Sequence, residues 1–263
     1  MQLRLVYLYG DLMNLYGDRG NIIALQRRCA WRGIDLQVEN VTVGDHFDPA
    51  TADLFFFGGG QDVEQTVVSR DLAAGAGEAI EEAVDDGAGL LAVCGGYQLL
   101  GEYFRTADGV EIPGTGLFHA HTVAGQTRYV GNVVAEATVD GEQRRLVGFE
   151  NHSGRTYLSE DQSSLRDGAA ATEPLARVIV GKGNNGEDGW EGARYRGAVG
   201  TYLHGPILPK NPWLADLLIL TALRRHAGPD AELTPLDDRA ELAAHAAVAD
   251  TVLRKGNART SIR

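Results

Sequence analysis

The sequence predicts an α/β protein whose mostly parallel central sheet is flanked by helices, with additional antiparallel strands. Three observations lead to this fold class. Apolar runs alternate with helical patterns over residues 1–101, these runs are apolar on both faces, and short alternating segments take over from about residue 105 to residue 205. Ligands of parallel sheets gather at the carboxyl ends of the strands, so a functional site is expected there.

The first half of the chain alternates strand and helix. LRLVYLY (3–9) is predicted as a buried strand, and a helix follows from about Asn21 to Gly33, a residue that suits a C-terminal cap. IDLQVENV and ADLFFFGGG are the second and third predicted strands, and residues 71–86 have a helical pattern. GLLAV is the fourth predicted strand, and a helix begins just beyond Cys94.

The second half is predicted to be largely antiparallel. Its short alternating segments are RYVGNVVAEATV, RLVGFEN, LARVIVG and YRGAVGTYLHG, with GKGNNGEDGW (181–190) as a polar loop or hairpin tip. NPWLADLLILTALRRHAG then predicts a helix. We divide the chain into a main domain, residues 1–228, and a polar helical tail, residues 229–263, which would dock on the domain or on a partner, or be partly disordered.

Composition and charge exclude several classes of protein. The net charge of −12 argues against a nucleic-acid partner, because phosphate binding needs clustered Lys and Arg. No apolar run approaches the ~20 residues of a membrane span, and the N-terminus does not have the pattern of a secretory signal. The two cysteines, Cys29 and Cys94, do not make a disulfide framework, so a cytoplasmic location is expected.

Cys94 is the first candidate catalytic residue. In GLLAVCGGYQLLG (89–101) it follows an apolar run, with Ala92 two residues before it and Gly96 two residues after it. Small residues at those positions are typical of a nucleophile on a sharp strand-to-helix turn. The start of the helix would favour the thiolate, and the Gly95 N–H would be available to an oxyanion. A buried structural cysteine is the alternative at this point.

Further segments carry candidates for the same site. Gly58–Gly60 closes the third predicted strand, where its amides would face an oxyanion. A tight turn that needs positive φ is the alternative. His204, in GAVGTYLHGP, follows a strand-like run and is the best candidate base, and His152, in FENHSGRT, is the second. His119 and His121 share a face but have no evident third ligand, so no metal site is predicted.

These motifs together resemble those of the class I (triad-type) glutamine amidotransferases. VCGGYQLLG, FFFGGGQD and GTYLHGP carry a resemblance to the cobyric-acid-synthase-like branch, over roughly residues 1–226. Two longer stretches, YGDLMNLYGDRGNIIALQRRCAWRGI and GFENHSGRTYL, narrow the resemblance to the glutaminase subunits of this branch that serve peptidoglycan synthesis with a Mur-ligase-like partner.

The resemblance implies a role for each candidate residue. Cys94 attacks the side-chain amide of glutamine, a thioester and ammonia form, and water releases glutamate, while His204 acts as general base and then as acid. The other implied residues are Gly60 and Gly95 in the oxyanion hole, and Gln98, Arg128, Gly59, Asn151 and His152 in the glutamine pocket. Arg128 would grip the α-carboxylate, although a surface strand arginine is an equal alternative.

One position departs from the family pattern. Many relatives have Glu two residues after the histidine, where this sequence has Pro206, although the cobyric-acid-synthase-like branch commonly lacks that Glu as well. Two explanations stay open at this point: a partner supplies the carboxylate, or His204 works with Cys94 as a dyad.

The resemblance also implies a partner. The sequence has no G-x-x-x-x-G-K-[ST] nucleotide motif, so no cofactor is expected in this chain, and ATP and Mg²⁺ are expected on a Mur-ligase-like synthetase in a heterodimer. That synthetase would amidate the D-glutamate of lipid II to D-isoglutamine at the inner face of the cytoplasmic membrane. The alternatives are an amidotransferase subunit of another pathway, such as the cobyric-acid type, a cysteine hydrolase on the same fold, and an inactive scaffold homologue.

Overall fold

The computed structural model describes residues 1–14, 18–159 and 170–260. The elements of the first half, in chain order, are β1 (Gln2–Leu8), α1 (Arg19–Ala30), β2 (Asp35–Val41), β3 (Leu54–Phe57), α2 (Asp62–Asp71), α3 (Gly77–Asp85), β4 (Gly89–Val93) and α4 (Gly95–Leu99). Those of the second half are β5 (Tyr103–Arg105), β6 (Glu111–Pro113), β7 (Ala120–Val139), β8 (Glu142–Leu158), β9 (Ala176–Val180), β10 (Trp190–Glu191), β11 (Ala193–Tyr195), β12 (Ala198–Thr201), β13 (Leu203–His204), α5 (Ile207–Lys210), α6 (Pro212–Ala227) and α7 (Arg239–Thr260). None of the helices in the described ranges is both long and apolar enough to cross a membrane.

The central sheet is mostly parallel, as predicted. Its strands lie in the order β11–β12–β4–β3–β1–β2, and all of them run parallel except the edge strand β11. Every residue of β3 and β4 is buried, which explains why these segments are apolar without alternation. The predicted α/β fold class is therefore confirmed.

The antiparallel prediction for YRGAVGTYLHG is wrong for its middle part. β12 lies inside the central sheet, parallel to β4, with Thr201 opposite Val93. All four residues of β12 are buried. A strand buried on both faces shows no alternation, so this short run could not be told from a small antiparallel strand. As a consequence, His204 emerges at the same edge of the sheet as Cys94.

A long antiparallel hairpin, β7–β8, dominates the second sheet. Asp140 and Gly141 form its turn, and both have a positive φ (51° and 78°), as two-residue hairpin turns require. β8 also pairs with β13, so that His204 lies opposite Phe149. The second sheet therefore fixes the histidine segment from the side opposite the central sheet.

The helical pattern of residues 71–86 corresponds to the end of α2, a π-helical turn and α3. α2 and α3 are joined by a π-helical turn, Leu72–Ala76, in which Gly75 has a φ of 133°. α2 begins before the predicted helix and was missed because it contains the β-branched run 66–68, whose helix propensity is low.

The C-terminal tail packs against the main domain. α7 buries Ala249 and Val252 in a cluster with Val134 of β7 and Val147 of β8. The helix of the tail thus docks on the second sheet. The division of the chain at residue 228 stays a prediction, and residues 261–263 lie outside the described residues.

Candidate active site

Three chain segments meet at the carboxyl edge of the central sheet. Cys94 directly follows β4, the glycine loop Gly58–Gly60 follows β3, and His204 lies just after β12. β3, β4 and β12 are adjacent parallel strands, so their carboxyl ends lie side by side. The candidate residues therefore meet at the edge where the sequence predicted a ligand.

Cys94 occupies a strained strand-to-helix bend. Its φ of 51° and ψ of −105° are rarely adopted by a residue with a side chain. The Cys94 N–H donates to the Thr201 carbonyl at 2.9 Å. The Gly96 N–H donates to the Gly58 carbonyl at 3.0 Å. A Cβ at Gly96 would lie 2.7 Å from the Phe57 carbonyl oxygen, so only glycine fits at this position, two residues after the cysteine.

The glycine loop packs too tightly for side chains at Gly58 and Gly60. None of Gly58, Gly59 and Gly60 has a positive φ, so the tight-turn alternative does not explain them. A Cβ would lie 2.2 Å from the Met13 carbonyl oxygen at Gly58, and 2.2 Å from the Met13 sulfur at Gly60. A Cβ at Gly95 would lie 2.9 Å from the Gly60 nitrogen, so these two backbones are in contact beside the cysteine. An oxyanion hole made of the Gly60 and Gly95 amides requires this proximity.

His204 faces a buried carboxylate that the sequence did not reveal. Its Nδ1 lies 3.4 Å from Oδ2 of Asp18, and both side chains are buried. A Cβ on Gly59 would lie 3.4 Å from the Cys94 Cβ, 3.4 Å from the His204 Cε1 and 3.8 Å from the Asp18 Oδ2. Cys94, His204 and Asp18 therefore surround one point of the site, with the imidazole between a thiol and a carboxylate.

These neighbours set the charge of His204. Burial lowers the pKa of its imidazole, but hydrogen bonding and charge from Asp18 and Cys94 outweigh burial and raise it to about 10. The imidazolium is therefore the favoured form at neutral pH. The imidazolium places a positive charge beside Cys94 and Asp18.

Asp18 adds a third explanation to the two that Pro206 left open, because it places a carboxylate of this chain 3.4 Å from the histidine. Asp18 immediately precedes α1, and Pro206 packs on the same helix, since a Cβ at Gly20 would lie 2.4 Å from the Pro206 Cγ. Acid and histidine come from opposite ends of the chain, so no spacing in the sequence reveals the pair. The signal that was available is the place of Asp18 in the polar loop after β1, at the carboxyl edge of the sheet.

A cavity of about 600 Å³ opens over these residues. It brings together eight of the residues predicted for the site: Gly59, Gly60, Cys94, Gln98, Arg128, Asn151, His152 and His204. Gly95, the other predicted residue, adjoins the cavity through its contact with Gly60. A volume of this size is typical of small-molecule sites.

Arg128 and Asn151 lie at the mouth of the cavity. Arg128 is exposed, its Nε donates to the Asn151 Oδ1 at 2.6 Å, and its guanidinium also donates to the Asn151 carbonyl at 3.2 Å. These bonds orient the guanidinium at the rim, where the carboxylate of a ligand can reach it. Arg128 therefore lines the cavity, and its role in binding stays a prediction.

Gln98 belongs to the wall of the cavity. Its Nε2 donates to the Tyr202 hydroxyl at 3.1 Å, and its Oε1 accepts from the Gln65 Nε2 at 3.1 Å. Gln65 also donates to the Gly60 carbonyl at 3.2 Å, so it links the wall to the glycine loop. The sequence did not predict Gln65 or Tyr202, because hydrogen bonds between distant elements leave no periodic pattern.

His152 lies in the same cavity in a different environment. Burial lowers the pKa of its imidazole to about 3. Its Nδ1 donates to the Gly154 carbonyl at 2.8 Å, and its ring stacks on that of Tyr202 with 3.7 Å between centroids. A ring that is held neutral in this way forms a wall of the cavity. His204 is the better base, because its imidazole has the higher pKa.

His119 and His121 make contacts away from this cavity. His119 pairs with the Glu102 carboxylate at 2.5 Å, and His121 stacks between Tyr103 and Tyr157. Within the part of the chain that the structure describes, no group of three or more His, Cys, Asp or Glu side chains is arranged to hold a metal ion.

Fold and cavity together define a class of protein. A cysteine on a strand-to-helix bend, a histidine–aspartate pair beside it and two glycine amides are the parts that acyl transfer from an amide needs. The chain belongs to the CobB/CobQ-like glutamine amidotransferase family, whose domain profile matches residues 4–212. It is a glutamine amidotransferase.

Curated relatives of two kinds resemble the chain. The lipid II isoglutaminyl synthase (glutamine-hydrolyzing) subunit GatD of Streptococcus pneumoniae is 41% identical over 239 residues, which cover 90% of this chain and 86% of that protein. The GatD subunit of Staphylococcus aureus is 39% identical over 260 residues, 98% of this chain and 99% of that protein. A probable cobyric acid synthase of Methanopyrus kandleri is 34% identical over 186 residues, 65% of this chain and 34% of that protein.

Solved structures share the fold. PurLQS from Thermotoga maritima superposes with a TM-score of 0.57 at 16% identity, covering 85% of this chain and 99% of that one. The glutaminase domain of Trypanosoma brucei CTPS with bound acivicin superposes with a TM-score of 0.51 at 9% identity, covering 88% and 96%. At these identities the likeness concerns the fold alone.

Proposed function

We propose that this chain is the glutaminase subunit of a lipid II isoglutaminyl synthase. It hydrolyses L-glutamine and delivers the ammonia to an ATP-dependent, Mur-ligase-like (MurT-like) synthetase, which amidates the D-glutamate of lipid II to D-isoglutamine. The two subunits form a heterodimer in the cytoplasm, held at the inner face of the membrane through the partner. ATP and Mg²⁺ belong to that partner, and this chain uses no cofactor.

One observation carries the proposal: the likeness to the Staphylococcus aureus GatD subunit extends over 98% of this chain and 99% of that subunit. The cobyric acid synthase of Methanopyrus kandleri is matched over only 34% of its length. The glutaminase subunit is therefore the better template for the activity of this chain than the matched third of a cobyric acid synthase.

Glutamine binds with its charged end at the mouth of the cavity. The guanidinium of Arg128, oriented by Asn151, holds the α-carboxylate. Because His152 is neutral, it presents no positive charge to the α-ammonium group. The side chain of glutamine then extends along the Gln98 wall toward Cys94.

In the first half-reaction the Cys94 sulfur attacks the carboxamide carbon of glutamine. The thiol proton has passed to His204, whose raised pKa of about 10 favours the imidazolium. The carboxamide oxygen becomes an oxyanion, which the amides of Gly60 and Gly95 stabilise. His204 then gives its proton to the departing nitrogen, and the C–N bond breaks. Ammonia is released, and a γ-glutamyl thioester remains on the cysteine.

In the second half-reaction water hydrolyses the thioester. His204, now neutral, removes a proton from a water molecule that attacks the thioester carbon. The C–S bond breaks, glutamate leaves, and the thiolate is restored. Asp18 holds the ring and stabilises the imidazolium in both half-reactions, which is the role of the acid in a catalytic triad.

The likeness to cobyric acid synthases supports a second candidate, the amidotransferase subunit of another amidation pathway. Both candidates use the same cysteine and differ only in the acceptor. The partner that co-purifies with the chain distinguishes them, since a Mur-ligase-like synthetase belongs to the first candidate and any other synthetase to the second.

The test is amidation by the pair recovered from the native host. With ATP and lipid II, amide-¹⁵N-labelled glutamine should give labelled D-isoglutamine. Cys94→Ser should abolish this product but leave amidation from ammonium intact, because the partner then receives its nitrogen from solution. Cys29→Ser, which replaces the other, fully buried cysteine, should leave both reactions unchanged. Loss of both reactions in Cys94→Ser would contradict the proposed division of labour.

A further inference from the structure

Glu191 is a buried carboxylate that the proposed mechanism does not use. It ends β10, its side chain is 0% exposed, and it does not line the cavity. Burial raises its pKa to about 7, even though its hydrogen bonds act in the opposite direction. Burying a carboxylate costs free energy unless hydrogen bonds offset the loss of water. The contacts that Glu191 makes indicate its role.

These contacts converge on the turn that joins β12 to β13. The Glu191 Oε1 accepts from the Thr201 hydroxyl at 2.6 Å and from the Tyr202 N–H at 3.0 Å. The same Thr201 hydroxyl accepts from the Leu203 N–H at 3.0 Å. One carboxylate oxygen thereby organises three consecutive residues, and the next residue in the chain is His204.

The turn is connected to the backbone of both reacting residues. On one side, the Thr201 carbonyl accepts the Cys94 N–H at 2.9 Å, which joins the two neighbouring central strands at their carboxyl ends. On the other side, His204 pairs with Phe149 of β8. The chain therefore passes from the central sheet to the second sheet in this turn, and the shape of the turn fixes the distance between cysteine and histidine.

We propose that Glu191 is a positioning residue for amide hydrolysis: through Thr201 and Tyr202 it sets the β12–β13 turn and so the placement of His204 relative to Cys94. The inference rests on the proposed glutaminase function, because it concerns the residues of that reaction. Misplacing a reacting group by about 1 Å can cost ~100-fold in rate, so a small movement of the turn has a measurable effect.

Three variants separate a positioning role from the loss of any buried carboxylate. Glu191→Ala removes the acceptor, whereas Glu191→Gln keeps an acceptor oxygen of the same reach. Glu150→Ala is the matched control. Glu150 is a second buried carboxylate, next to the same turn, but its oxygens accept from the backbone N–H groups of Lys182 and Gly183 instead.

Two readouts follow the placement of the reacting pair. The first is the rate at which iodoacetamide alkylates Cys94 in the isolated chain at neutral pH, which reports how well the histidine holds the thiol proton. Cys29 does not compete, because burial raises the pKa of its thiol to about 12. The second is kcat and KM for glutamine hydrolysis by the complex with its partner.

Glu191→Ala should lower both the alkylation rate and kcat by about tenfold or more, with KM within about twofold of the wild type. Glu191→Gln should restore both to within about threefold, and Glu150→Ala should leave the alkylation rate unchanged. A folded Glu191→Ala chain with wild-type alkylation and kcat would overturn the inference. The inference would also be overturned if Glu150→Ala lowered the alkylation rate and kcat as much as Glu191→Ala does.

Two further outcomes also test the inference: an unfolded Glu191→Ala variant, and a wild-type complex that hydrolyses no glutamine. If circular dichroism shows that Glu191→Ala is unfolded, Thr201→Val takes its place, because it removes the hydroxyl that bridges the carboxylate and the Leu203 N–H. It should lower both rates by about fivefold, and unchanged rates would overturn the inference. If alkylation falls as expected while the wild-type complex hydrolyses no glutamine, the proposed function fails, and only the placement of His204 relative to Cys94 by Glu191 stands.

Discussion

His204 and His152 are two buried imidazoles of one cavity, yet their charges differ. His204 is 1% exposed and His152 is 2% exposed. Burial acts against the charged form of both rings, but Asp18 and Cys94 raise the pKa of His204 to about 10. His152 has a carbonyl oxygen and a tyrosine ring as neighbours, and burial lowers its pKa to about 3. The partner, and not burial, decides which buried histidine can carry a proton in catalysis.

The largest effect is expected from His204→Gln. This variant removes the group that takes the thiol proton and returns it to ammonia, so kcat for glutamine hydrolysis should fall by about 10³-fold or more. Glutamate release, followed by coupled assay, measures the change. A loss of less than tenfold would mean that another group transfers the proton.

The next largest effect on kcat is expected from Asp18→Asn. The amide keeps the shape of the carboxylate but no longer stabilises the imidazolium, so kcat should fall by about 10²-fold while KM stays within about twofold. Asp11→Asn, an exposed residue of the same loop, is the matched control and should retain wild-type kinetics. If Asp18→Asn keeps more than half of the wild-type kcat, His204 and Cys94 work as a dyad.

The same histidine makes stability depend on pH. Its folded-state pKa of about 10 lies above the ordinary value of 6.5, so the folded chain binds this proton more tightly than the unfolded chain. The stabilisation is fully present below pH 6.5 and is lost as the pH rises through about 10. The difference in free energy of unfolding between wild type and His204→Gln should therefore shrink over that interval in urea titrations. A difference that is constant with pH would contradict the raised pKa.

A smaller effect is expected at the mouth of the cavity. Arg128→Ala removes an exposed cation that holds the α-carboxylate but touches no reacting atom, so KM for glutamine should rise about tenfold with kcat within about threefold. Arg144→Ala, which removes an exposed arginine at the hairpin tip, should change neither constant. A fall in kcat without a rise in KM would place Arg128 at the reacting end.

The smallest effect is expected from His152→Gln. The ring is neutral in the wild type, and the glutamine amide can still donate to a backbone carbonyl, so kcat and KM should each stay within about threefold. A loss comparable to that of His204→Gln would reverse the assignment of the two histidines.

The sequence predicted the parts of the site that are local. Cys94 and the glycine loop each follow a predicted parallel strand, so their place at one edge of the sheet follows from the pattern, whereas His204 was predicted only to emerge at a strand end. Asp18 could not be predicted in the same way, because it meets His204 only through the fold, and the position two residues after His204 holds Pro206. The prediction of the fold was wrong at β12, because this run is too short and too buried to show alternation.

Buried polar residues were missed for a related reason. GKGNNGEDGW was predicted as a polar loop, yet Asn184 and Asn185 are fully buried. The Asn184 side chain donates to the Gly192 carbonyl and accepts from the Gly192 N–H, which offsets the loss of water. Glu191, in the next strand, is also buried, and its carboxylate accepts a hydrogen bond from the Thr201 hydroxyl. A polar sequence indicates a surface unless its hydrogen-bond partners are known, and pairings such as Asn184 with Gly192 leave no periodic pattern in the sequence.

Covalent capture by a diazoketone analogue of glutamine tests most directly whether the histidine–aspartate pair activates the cysteine. Peptide mapping of the wild-type chain should find one label per molecule, on Cys94 and not on Cys29. The rate of capture should fall by about 10²-fold in Asp18→Asn and be unchanged in Asp11→Asn. Labelling of another residue, or equal rates in all three chains, would contradict the triad.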